Sequence, residues 1–211
     1  MPAHDWDQHY ASGELPWDTG DPDPHLVELV EQRVITPGRT LDVGCGTGTN
    51  AIWLSSRGFE VYGIDVAPLA IEKAEVKRRA AGTSVRFSVL DFLREDLTFG
   101  AFDFVFDRGV FHVFDDVDER ARFAERVARV LSPNGHWLSL VGSTEGPRRE
   151  HGPPRRSARD VVAAVEPVLE LVQLRSSTFD ADLPSRAMAW VMLARARAVP
   201  AQPPTGNPVP L

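Results

Sequence analysis

The chain has 211 residues, enough for one substantial core and short for two full domains. Its hydrophobic content of 43% and charged content of 25% are those of an ordinary globular protein, which argues against a disordered or fibrous chain. A formal charge of −7 lacks the basic footprint of a nucleic-acid binder, and the lone Cys45 excludes an internal disulfide framework.

The amino terminus, M-P-A-H-D-W-D-Q, is polar and acidic, without the apolar core of a signal peptide. No stretch approaches the roughly 18–20 apolar residues that cross a bilayer, so the expected location is the cytoplasm and no membrane partner is expected. Arginine greatly outnumbers lysine while Ala and Pro are plentiful, so scattered arginines carry little functional weight.

The first three dozen residues read as an irregular arm, about residues 1–24, followed by a helix from about His25 to Arg33 that Thr36-Pro37-Gly38 closes. Arg39 to Val43 is a short apolar strand running into the glycine cluster Gly44 to Gly48. Asn50 to Arg57 is helical, with Gly58 as its stop. A second strand, Phe59 to Ile64, ends at Asp65. Pro68 opens a helix to about Ala81, and Gly82 ends it. The third strand, Val85 to Leu90, ends at Asp91, and the fourth, Phe102 to Phe106, ends at Asp107. Helical spacing from Val117 to Leu131 halts at Ser132-Pro133-Asn134-Gly135, and His136 to Val141 is the fifth strand. A basic loop, Gly146 to Arg156, precedes a helix capped by Ser157 that runs to about Val165. Leu169 to Ser176 and Met188 to Ala196 form a final strand pair.

Strands alternating with helices in this way predict an α/β fold: a mostly parallel seven-stranded sheet in a Rossmann-like three-layer sandwich, with an antiparallel hairpin at the carboxy-terminal edge. Residues 1–198 read as one domain, and the proline-rich segment 199–211 as a disordered tail. Ligands of such sheets bind at the carboxyl ends of the strands, where Asp42, Asp65, Asp91 and Asp107 all fall.

The loop L-D-V-G-C-G-T-G, Leu41 to Gly48, lets the backbone turn tightly and approach a ligand where a Cβ would clash. Asp65 lies about 20 residues beyond it, where an acid accepts hydrogen bonds from ribose hydroxyls. A dinucleotide fingerprint requires G-x-G-x-x-G, but Thr49 holds the third glycine's place. Asp42 before the loop repels a pyrophosphate and attracts an ammonium group. An adenosyl amino acid therefore fits better than a nicotinamide dinucleotide.

The segment from Leu41 to Asp65 resembles the glycine-rich motif and ribose-binding acid of class I S-adenosylmethionine-dependent methyltransferases. I-D-V-A-P-L-A-I-E-K-A extends the likeness, with Ala67 in place of the usual serine-type cap, and the whole resemblance covers about residues 15–196. It implies that Asp42, Gly44, Cys45, Gly46, Thr47, Gly48, Asp65 and Val66 line the cofactor. By the same analogy Asp91 binds the adenine amino group with Phe92 beside the ring. Cys45 reads as a small loop filler, not a nucleophile.

F-D-F-V-F-D-R-G-V-F-H-V-F, Phe102 to Phe114, resembles the fourth strand and loop of the thiopurine, thiol and tellurite-resistance group of small-molecule methyltransferases. P-W-D-T-G-D-P-D-P-H-L is similar to that group's arm, and H-G-P-P-R-R-S to its substrate-side loop. The resemblance places Trp17 over the cofactor and Asp107 at the transfer site, with Arg108 and His112 nearby as catalytic candidates. Each has a plainer reading: Trp17 as a hydrophobic plug, Arg108 as the partner of an acid, His112 as a satisfied core histidine. Phe111, Phe114 and Trp137 fit an acceptor pocket or the core about equally. Asp115 and Asp116 more naturally begin a helix than ligate a metal, and no metal is expected.

The expected reaction is methyl transfer from S-adenosylmethionine to a small molecule, a thiol or other sulfur nucleophile first. Alternatives are O- or N-methylation of a small aromatic metabolite, or a non-catalytic S-adenosylmethionine-binding module. A thiol ionises readily, whereas a higher-pKa acceptor needs a base, for which His112 is the candidate. The protein is expected to act as a monomer or homodimer without nucleic acid.

Overall fold

A computed structural model describes residues 6–97, 100–147, 152–181 and 187–197. The elements in chain order are α1 (Trp6–Ser12), α2 (Pro24–Glu31), β1 (Arg39–Val43), α3 (Thr49–Ser56), β2 (Glu60–Asp65), α4 (Pro68–Ala81), β3 (Arg86–Val89) and β4 (Phe102–Arg108). A short 3-10 turn (Phe111–Val113) follows, then α5 (Val117–Val130), β5 (Leu131–Gly142), α6 (Ala158–Val165), β6 (Glu170–Thr178) and β7 (Met188–Arg195).

The seven strands form one sheet in the order β3-β2-β1-β4-β5-β7-β6. Contacts among β3, β2, β1, β4 and β5 are parallel, whereas β7 is antiparallel to both β5 and β6. The closing hairpin is present, but its second strand is the inner one. The chain leaves β5, crosses by α6 to the edge as β6, and returns as β7 into the gap. From β1 the chain winds outward through β2 and β3, then crosses back to β4 on the other side of β1. That reversal, at the carboxyl ends of β1 and β4, is a topological switch point, the place where open α/β sheets bind their ligands.

Apolar side chains pack on both faces of the sheet. One core gathers Leu41, Val105, Phe111, Trp137 and Met192 with Phe123 and Val127 of α5 and Val161 and Val165 of α6. The other joins Phe104, Phe106, Leu138 and Leu140 to Leu26 of α2 and Ala51 and Leu54 of α3. Central strands buried on both faces read as continuous apolar runs, and F-V-F in β4 does.

The helix ends follow the sequence closely. Asp116 caps α5 by accepting from the amides of Asp118 (2.7 Å) and Glu119 (3.1 Å). Ser157 and Asp160 form a reciprocal capping box on α6. Gly82 ends α4 in the left-handed conformation at φ 65°.

Two local expectations need correction. The arm is not irregular throughout, because Trp6–Ser12 is helical. Ser132-Pro133-Asn134-Gly135 does not separate α5 from β5: the strand begins at Leu131, opposite Phe102, and the register slips before His136 meets Phe104. Asn134 at φ 64° turns this bulge. The tail expected at 199–211 lies outside the described residues. Among the described residues no helix is long and apolar enough to cross a membrane.

Candidate active site

Three acids end three adjacent strands: Asp42 on β1, Asp65 on β2 and Asp107 on β4. All are buried, and each carboxyl is raised above the ordinary aspartate range, with loss of hydration the first cause. Asp42 is raised furthest in kind, since Asp65 and Asp107 add their repulsion, and its Oδ2 has no hydrogen-bond partner. A cluster of this sign favours a cationic ligand group and opposes a phosphate.

Gly44, Gly46 and Gly48 all take positive φ (66°, 55° and 83°), so the loop between β1 and α3 depends on glycine for its path. Asp65 fastens that loop. Its Oδ2 accepts from the Gly46 amide and its Oδ1 from the Ala67 amide, both at 2.9 Å. A carboxylate has about four acceptor sites, so both oxygens retain capacity for ligand hydroxyls. Val66 follows with an apolar side chain that is 45% exposed. Cys45 is buried with its thiol pushed well up by loss of hydration, which fits a filler and disfavours a thiolate.

The arm lies across these strand ends and is laced down residue by residue. Ala67 supplies no side-chain cap to α4, and Asp7 of α1 supplies one instead, accepting from the Leu69 amide at 3.1 Å. One helical turn on, Lys73 Nζ reaches the Tyr10 carbonyl at 2.5 Å. A further turn on, Lys77 donates to Thr47 Oγ1 at 2.5 Å and to Thr49 Oγ1 at 3.2 Å, and pairs with Asp18 at 3.3 Å. Thr47 also donates to Asp18 at 2.6 Å. Leu69, Lys73 and Lys77 stand at i, i+4 and i+8, hence on one face of α4. A cleft of about 430 Å³ runs along this seam, lined by Leu15, Asp18, Thr47, Lys73, Val76 and Lys77. A smaller hollow of about 260 Å³, at Pro37, Asp103, Asn134 and His136, lies at the opposite end of the strands.

Trp17 sits in an aromatic cluster with Trp6, His9 and Tyr10, ring centroids 5.9–6.4 Å apart. Arg108 is a tie, not a free cation. It donates to Asp23 Oδ2 at 2.8 Å, to the Trp17 carbonyl at 3.0 Å and to the Asp180 carbonyl, with Phe179 beneath it. It thereby joins the arm to the segment after β6.

Asp107 faces its own loop. Its Oδ1 accepts from the amides of Val110 and Phe111 (3.1 Å each), and its Oδ2 from the Trp137 indole at 2.9 Å. Phe111 and Trp137 are fully buried core residues, which settles them away from an exposed acceptor pocket. Phe92, too, packs inward against Phe123, centroids 4.9 Å apart. Asp91 caps its own turn through the amides of Leu93 and Arg94 and pairs with Arg94 at 2.8 Å.

His112 is buried, and its Nδ1 accepts from the Gly142 amide at 2.8 Å. The proton of the neutral ring is therefore on Nε2, and the only basic nitrogen is already engaged. Burial, then Arg156 and Arg108, push its pKa down to about 3. That geometry makes the ring a hydrogen-bond donor and removes it as a general base.

His112 also makes the stability of the fold depend on pH. Because the native pKa lies below the unfolded value, the unfolded chain takes up a proton that the native ring refuses, and stability falls as pH drops below about 6.5. Between about pH 7.5 and pH 5 the wild type should lose about 2 kcal/mol more than His112→Gln in urea titrations. Equal losses would show that the ring charges freely in the native state.

Sequence reasoning missed Asp7, Tyr10, Asp18 and the lysine pair. One signal was available: Lys73 and Lys77 are the only lysines in an arginine-rich chain.

The family model for thiopurine S-methyltransferase matches residues 1–190. A probable thiol methyltransferase 2 of Arabidopsis thaliana is 32% identical over 153 residues, 71% of this chain and 65% of that protein. A 2-heptyl-1-hydroxyquinolin-4(1H)-one methyltransferase of Mycobacteroides abscessus is 33% identical over 127 residues, 60% of this chain and 55% of that protein. The chain thus spans just under two thirds of the one relative and just over half of the other. Among solved structures, a protein from work on the conversion of a disulfide bond into a thioacetal group during echinomycin biosynthesis superposes with TM-score 0.79. It is 27% identical, with 92% of this chain and 91% of that one covered. The chain belongs to the thiopurine S-methyltransferase family and carries the class I S-adenosylmethionine-dependent methyltransferase fold.

Proposed function

We propose that the protein transfers the methyl group of S-adenosylmethionine to a small molecule whose accepting atom is a sulfur nucleophile. The observation that carries this reading is that the candidate bases beside the strand ends are, among the described residues, already engaged. His112 is a neutral donor with its basic nitrogen engaged, and Asp107 spends both oxygens on loop amides and an indole. An acceptor that arrives already ionised needs no base, and thiols ionise nearer neutral pH than alcohols or amines. The Arabidopsis relative, named for thiol methylation, points the same way.

The residues fit the cofactor. Asp42, with its unpartnered Oδ2 in an acidic cluster, suits the ammonium of the amino-acid part. Asp65 suits the ribose hydroxyls, and the Gly44, Gly46 and Gly48 turn admits close approach. Val66 would lie beside the adenine. Cys45 and Thr47 shape the loop, and Trp17 closes it from the arm. Bound there, S-adenosylmethionine supplies an electrophilic methyl on a sulfonium. The protein's own part is to hold the two reactants in line and exclude water, which accounts for much of the acceleration in such displacements.

Asp107 and Arg108 act as positioning residues in this scheme, the first by fixing the loop after β4, the second by tying down the arm. His112 offers its Nε2–H to orient an acceptor. Asp91 retains its place beside the adenine through its turn, with Phe92 supporting that turn from the core. We read residues 1–198 as one domain with the arm as its lid, acting as a soluble cytoplasmic monomer or homodimer on small molecules.

A second reading, O-methylation of an acidic hydroxyl, draws on the Mycobacteroides relative, named for a hydroxyquinolinone. Calorimetric titration with S-adenosylmethionine and S-adenosylhomocysteine, followed by an acceptor screen, tests both. One-site micromolar binding is expected, with thiols methylated faster than phenols or amines of higher pKa. Folded protein that binds neither compound would sink the methyltransferase reading, and a phenol preference would favour the second.

A further inference from the structure

His112 is gripped by several elements at once, and one side chain joins them. Its Nδ1 accepts from the Gly142 amide at the end of β5 (2.8 Å), and Phe179, after β6, packs edge-on to its ring with centroids 5.9 Å apart. Gly142 is where β5 meets the loop that follows it. A Cβ there would collide with the Pro154 carbonyl and stand 3.3 Å from His112 Nδ1. The Arg156 backbone completes this junction. Its amide donates to the Gly142 carbonyl at 2.7 Å, and its carbonyl accepts from the Thr144 amide and the Trp190 indole of β7, both at 3.0 Å.

Two adjacent arginines divide the work of the loop. The Arg155 guanidinium donates to the carbonyls of Ser143, Thr144, Glu145, Gly146 and Pro147, folding the loop on itself. The Arg156 guanidinium instead reaches the turn after β4, donating to the His112 carbonyl at 2.7 Å and to Asp115 Oδ1 at 2.6 Å. Its side chain is 12% exposed and that of Asp115 60%, so water screens the carboxylate more than the cation. The charges acting on the ring are those of Arg156 and of Arg108, which is paired with Asp23. Both oppose a proton on Nδ1, which leaves Nδ1 an acceptor and Nε2–H a donor. Nε2 lies 3.3 Å from where a Cβ on Gly109 would be, and among the described residues no hydrogen bond engages it.

We propose that Arg156 is a positioning residue for the methyl acceptor: it anchors the turn that carries His112 and, by its charge beside the ring, keeps Nε2–H as the donor offered to the acceptor. The proposal rests on the acceptor role given to His112 above. A protonated ring would aim a second N–H at the Gly142 amide and lose the contact that orients it.

Nitrogen NMR of the imidazole and initial rates with thiophenol as acceptor test the two halves. In wild type the ring should keep its Nε2–H form from about pH 8 down to about pH 5. In Arg156→Gln the cation is gone and water gains access, so the ring should take up its proton within that range. The KM for thiophenol should rise about tenfold, with S-adenosylhomocysteine affinity unchanged by calorimetry. Arg156→Lys keeps the charge and should hold the ring neutral and recover most of the KM. A ring that stays neutral in Arg156→Gln, an unchanged KM, or equal weakening of thiophenol and S-adenosylhomocysteine would overturn the assignment. Wild-type protein that binds no S-adenosylhomocysteine and methylates no thiophenol would overturn the proposed function and the acceptor role with it. The ring titration would still decide whether Arg156 governs His112.

Discussion

Asp65→Ala should weaken S-adenosylhomocysteine binding by about 100-fold or more, the lower end of two lost hydrogen bonds to a charged acceptor at about 1.5–3 kcal/mol each. The carboxylate stands where β2 ends and holds both sides of the site, the Gly46 amide of the loop and the Ala67 amide at the start of α4. In the proposed cofactor site, removing it would cost the ribose its acceptors, and it frees the loop from the Gly46 tie. The two causes are separable. Asp65→Asn keeps an acceptor oxygen and an amide of the same shape, so it should fall between wild type and Ala by calorimetry. Unchanged affinity in Asp65→Ala would mean that the end of β2 is not the cofactor wall.

Asp107→Ala should have the largest effect on stability, about 3–5 kcal/mol, because two buried donors and one half-buried donor lose their shared acceptor. The Phe111 amide and the Trp137 indole would remain without a partner inside the core and the Val110 amide at its edge, at about 1–3 kcal/mol each, less the relief of no longer burying a carboxyl. Against a total stability of about 5–15 kcal/mol, that approaches unfolding. Urea titration followed by tryptophan fluorescence reads both the lost stability and the altered indole. Asp107→Asn should be milder, since its carbonyl still serves one side while its amide faces another donor. A loss below about 1 kcal/mol in Asp107→Ala would show that water replaces the carboxyl and that the loop does not depend on it.

These two aspartates show how far a pattern reaches. Both stand at strand ends, and the sequence ranks them alike. The structure separates them by what surrounds each: Asp65 keeps open acceptor sites over the crevice, while Asp107 turns beneath its own loop to meet Trp137, 30 residues away. Arg108 divides in the same way. An arginine there reads equally as a substrate contact or as the partner of an acid, and the structure shows the second: its guanidinium is closed by Asp23 and the Trp17 carbonyl, 85 and 91 positions earlier in the chain.

What the sequence by itself determined is local. Apolar runs bounded by Gly and Pro placed most helices, and every strand except the start of β5, within a residue or two, because period, capping and turn chemistry act over a few neighbours. The glycine loop, Asp42 before it and Asp65 after it likewise sit in one short segment, so the cofactor class was readable there, and the family match agrees. What only the tertiary structure decided is long-range. β7 enters between β5 and β6, which no local pattern specifies. Tyr10 reaches Gly46, and Asp7 caps a helix 62 residues away. The proton on His112 is set by an amide 30 residues distant. Hydrogen bonds and burial of this kind depend on which side chains the fold brings within about 3 Å of one another, and sequence spacing carries no record of that distance.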